Sequence, residues 1–132
     1  MEKNVCKVIK LFVPDVNNIM TLLCMSKRLM DEMKVELHPD QIEEIDMDIL
    51  EQEWENFRLK FVVNISWGTE KGVRYVIMKF TQHELDVLKR FMEMADSFMK
   101  MYIDNDVTCN CDGWYREIYY RITTKLFDNE KI

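Results

Sequence analysis

Between Phe57 and Ile103 the hydrophobic period changes once, and that change limits the folds open to the chain. Phe57, Leu59, Phe61, Val63, Ile65 and Trp67 alternate with Arg58, Lys60, Asn64 and Ser66, the period of a strand with one buried face. Gly68-Thr69-Glu70-Lys71-Gly72 interrupts the pattern, and a second β-rich run follows from Val73 to Phe80. Thr81-Gln82-His83-Glu84 has the form of a capping box, after which apolar residues recur at helical spacing to about Ile103. The predicted scaffold is a hairpin feeding a long helix.

That helix carries two apolar stripes. Leu85, Leu88, Met92, Ala95, Met99 and Tyr102 form one, and Val87, Phe91, Met94, Phe98 and Met101 the other. A single sheet face needs only one stripe. The second is expected to pack on another helix of the same chain, with Phe91, Met94 and Phe98 as a possible interface if it does not.

Val5 to Val13 is apolar on both alternating rows, which predicts a central strand covered on both faces. Pro14-Asp15 ends it, with Asp15 suited to an N-cap. Ile19, Leu22, Leu23, Ser26, Leu29, Met30 and Met33 then predict an amphipathic helix to about Lys34. At the far end, Trp114 to Leu126 fits two periods. Trp114, Ile118, Tyr120, Ile122 and Leu126 share a strand row, whereas Tyr115, Ile118, Tyr119, Ile122 and Leu126 make a helical stripe. Tyr, Ile and Thr favour the strand. Asp128 to Ile132 is expected to be a frayed tail.

The element order is then β-α-(acidic insert)-β-β-α-β, that of a ferredoxin-like sandwich with its helices on one face of an antiparallel sheet. At 132 residues the chain suits a single α+β domain, with the insert at about 35–56. No signal peptide or membrane span is evident, which predicts a cytoplasmic protein. Cys6 and Cys24 lie in apolar patterns and are expected to be small core residues with reduced thiols. Most of the eleven methionines are expected to fill gaps in the core.

The insert is chemically distinct. From Val35 to Phe57 there are nine acidic residues (Glu36, Asp40, Glu43, Glu44, Asp46, Asp48, Glu51, Glu53 and Glu55) and no Lys or Arg. The whole chain is −6, so the remainder carries 18 − 15 = +3. Ile42, Ile45, Ile49, Leu50 and Trp54 supply a narrow apolar stripe, so part of the insert can dock as a helix.

Catalytic motifs are absent from the sequence: there is no phosphate-binding glycine loop, no HExxH and no nucleophile elbow. His38, before Pro39, and His83, in a capping position, have no nucleophile beside them. Cys109 and Cys111 are too few and too close for a zinc site. Asp104, Asp106 and Asp112 miss the EF-hand pattern, since Cys109 and Tyr115 stand where its Gly and Glu belong. Neither a metal nor a cofactor is expected. Direct nucleic-acid binding is disfavoured by a pI near 5.0, despite the basic hairpin and the stacking faces that Trp67 and Tyr75 could offer.

The sequence therefore leads to a non-enzymatic protein-binding module. Its concrete form is an acidic inhibitor that occupies the basic nucleic-acid-binding surface of a partner, in the manner of small phage or mobile-element antagonists of defence enzymes. Asp40, Glu43, Glu44, Asp46, Asp48, Glu51, Glu53 and Glu55 carry this reading. The alternative is a regulatory or ligand-binding ferredoxin-like domain acting as a homodimer. A metal-dependent enzyme built on the same carboxylates ranks third.

Overall fold

A computed structural model describes residues 5–36, 47–103 and 112–127. Their fold is α+β: four helices and a three-stranded antiparallel sheet. In chain order these are β1 (Val5–Phe12), α1 (Val13–Glu36), α2 (Met47–Arg58), β2 (Gly68–Glu70), β3 (Val73–Thr81), α3 (Gln82–Phe98) and α4 (Asp112–Phe127). Single π-helical turns, Leu59–Val63 and Met99–Ile103, extend α2 and α3. The sheet order is β1-β3-β2.

Among the described residues β1 is an edge strand, not the central strand expected, and only one of its rows is covered. Ile9 and Leu11 are buried with Val76, Met78 and Phe80 of β3, while Val8 is 57% and Ile77 50% exposed on the opposite face. α1 and α3 pack along each other on the buried face, through Ile19, Leu22, Leu23, Leu88, Phe91 and Met92. Cys6 and Cys24, expected inside, are both exposed.

The hairpin is shorter than its sequence pattern. Lys71 and Gly72, at φ of 52° and 80°, form the two-residue turn between Glu70 and Val73, the backbone of a type I′ hairpin. Gly68 is closely covered: an added Cβ would lie 3.1 Å from Cζ of Tyr75, so the ring would have to shift slightly to admit a side chain.

The expected strand from Phe57 to Trp67 is instead the end of α2 and its π-helical turn. Phe57 and Phe61 share a row under both periods, so alternation alone cannot separate a strand from a helix there. The upstream residues decide it. Met47, Leu50, Trp54, Phe57 and Phe61 continue one stripe at three–four spacing, and all but the half-buried Trp54 are buried. Gln52 Nε2 donates to Asn56 Oδ1 and the Arg58 guanidinium grips Glu55, one turn apart in each case. Phe57 stacks on Phe61 at 6.1 Å and meets Phe91 of α3 edge-on at 6.0 Å, while Phe61 reaches Phe80 of β3 at 6.1 Å.

The last element takes the helical alternative. Tyr115, Ile122 and Leu126 are buried, with Ile118 and Tyr119 against the core. The rings of Tyr115 and Tyr119 stack at 5.7 Å, and Thr123 Oγ1 donates to the Tyr119 carbonyl. Local hydrogen bonding and burial thus override β-propensity. With three strands, and helices where two strands were expected, the described residues do not reproduce the ferredoxin-like order.

Thr81 does close the predicted capping box: Glu84 N–H donates to Thr81 Oγ1 at 3.0 Å and Thr81 N–H to Glu84 Oε1 at 2.9 Å. Asp15 lies in the first turn of α1. Its carboxylate accepts from Phe12 N–H at 2.9 Å and from Lys125 Nζ at 2.6 Å, tying the helix start to α4. Among the described residues, no helix is long and apolar enough to cross a membrane.

Candidate functional site: the acidic helix

α2 is the described part of the acidic segment. Its apolar stripe docks on the body, and the indole N–H of Trp54 donates to the Leu23 carbonyl of α1 at 2.7 Å. Ile49, expected in that stripe, is 58% exposed. Asp48, Glu51 and Glu55 fall at i, i+3 and i+7, on one face of the helix. Glu53 points elsewhere, towards α3.

Three of these four carboxylates are engaged within the chain. Lys34 of α1 binds Glu51, and their hydrogen bond holds the Lys34 ammonium above its ordinary range. The Arg58 guanidinium takes Glu55 in a forked contact and lowers its carboxyl below the usual value. Glu53 Oε1 lies 3.0 Å from Nε2 of His83, a residue 70% exposed at the start of α3. Asp48 is exposed and makes no ion pair among the described residues. Of the remaining predicted site residues, Asp40, Glu43, Glu44 and Asp46 lie outside the described residues, as do His38, Cys109, Cys111 and the tail at 128–132.

Glu51 and Glu53 turn to opposite sides of α2, towards Lys34 and His83, so neighbouring carboxylates do not converge on one point. Among the described residues, no three His, Cys, Asp or Glu side chains are grouped to hold a metal ion.

The second stripe of α3 is mostly occupied internally. Phe91 is fully buried beside Phe57, and Phe98 is buried with the Arg28 guanidinium 5.6 Å from its ring centre. Met94 is half-buried in a shallow groove of about 390 Å³ with Leu29, Met33, Leu50 and Arg90.

Sequence reasoning missed two features. Two cations beside the hairpin are committed: Lys60 Nζ bridges the Lys79 carbonyl at 2.5 Å and Glu84 at 3.1 Å, and Lys10 of β1 binds Glu70 at 2.9 Å beside the Tyr75 ring. The strand order brings Lys10 to Glu70, and the tertiary placement of the π-helical turn brings Lys60 to Glu84, so no linear spacing could reveal them. Trp67 is half-buried against the core, with Arg74 5.3 Å over its ring. No family model, curated protein or solved structure matches this chain.

Proposed function

We propose that the chain is a non-enzymatic protein-binding module whose acidic segment occupies a basic surface of a partner protein, most concretely the nucleic-acid-binding surface of an enzyme or complex. One observation carries this reading: nine carboxylates and no Lys or Arg lie between Val35 and Phe57, in a chain otherwise at +3. A body of weakly positive charge gives such a segment no global neutralisation. Its field is screened over about 8 Å at physiological ionic strength, so it acts on whatever basic surface comes into contact.

The ion pairs divide the labour within the segment. On the outward row of α2, Asp48, Glu51 and Glu55 contribute −3 and the engaged Lys34 and Arg58 return +2. Among the described carboxylates of α2 only Asp48 has no ion pair, so we assign the partner-facing charge to Asp48 together with Asp40, Glu43, Glu44 and Asp46. Glu51 and Glu53 fasten α2 to α1 and α3, while Glu55 pairs with Arg58 within α2 itself.

The test is capture of a cellular partner by the wild type and by the variant Glu43→Lys, Glu44→Lys, Asp46→Lys, Asp48→Lys, with circular dichroism to verify the fold. The variant should lose the partner, because eight units of charge are reversed while the Lys34, His83 and Arg58 contacts stay intact. Equal capture by both proteins would refute the proposal.

A further inference from the structure

We draw no further inference here: the strongest candidate, the apolar patch of Val8, Val73 and Ile77 on the sheet face turned away from α1 and α3, has its nearby Lys10 already bound to Glu70, and nothing among the described residues shows what covers it.

Discussion

Trp54 is where the docking of the acidic helix can be measured. Its indole N–H reaches the Leu23 carbonyl at 2.7 Å, and the same carbonyl accepts from the buried Ser26 hydroxyl at 2.7 Å. Trp54→Phe removes one donor but leaves the acceptor satisfied, so its cost falls near 1 kcal/mol, the net worth of an ordinary hydrogen bond. Trp54→Ala also removes a half-buried ring. Full burial of a large aromatic is worth roughly 3–5 kcal/mol on truncation, which scales here to about 2–3 kcal/mol. For a chain of this length each kcal/mol moves the midpoint by roughly 3–5 °C, so thermal unfolding followed by circular dichroism should drop by about 3–5 °C and about 6–15 °C respectively. Ser26→Ala combined with Trp54→Phe should cost more than the sum of the two, since Leu23 then keeps neither side-chain donor. A Trp54→Ala protein within about 0.5 kcal/mol of wild type, the range of an inert surface change, would mean that α2 is not held on α1.

Other perturbations follow from the same contacts. Burial, with Asp96 3.1 Å away, raises the Tyr115 phenol above its ordinary 10.0. Below that value the folded and unfolded states both hold the proton. Above it only the unfolded chain ionises, so stability should fall as pH rises beyond 10 and Tyr115→Phe should flatten the slope in urea titrations. Phe91→Ala should cost about 3–5 kcal/mol in denaturant without changing the mass measured by light scattering, because its ring is buried within one chain; a change in mass would instead make it an interface residue. Gly72→Ala places a Cβ at a φ of 80° and should cost about 1–2 kcal/mol, measured as a shift in urea midpoint.

How much of this was legible follows from where each signal resides. The capping box at Thr81 and the helix after it could be read because every contact that fixes them lies within one turn. α1 was legible to within about three residues at its start and two at its end for the same reason: its stripe is long and periodic. The interval from Phe57 to Trp67 was misread because Phe57 and Phe61 satisfy both periods, and the choice depended on Phe91 and Phe80, far away in sequence. β1 was misplaced because Val8 and Cys6 look like core residues in a linear pattern, and only the three-strand order exposes them. For α4, helical and strand rows were both present, and burial of Tyr115 selected between them. The acidic segment stood out by composition, but the pairings of Glu51 with Lys34 and Glu53 with His83 depend on helix docking. No sequence spacing could have shown that half of its described charge is spent on holding α2 in place.

The central claim, recognition through the carboxylates of the acidic segment, is tested most directly by the salt dependence of partner affinity. Once the captured partner is identified, its dissociation constant is measured by titration calorimetry at increasing sodium chloride, for the wild type and for the Asp48→Asn, Glu43→Gln, Glu44→Gln variant. Charge-driven binding predicts that wild-type affinity falls steeply with salt and that the variant binds more weakly with a shallower dependence. A wild-type affinity that stays flat across that range, with the variant binding equally well, would contradict it.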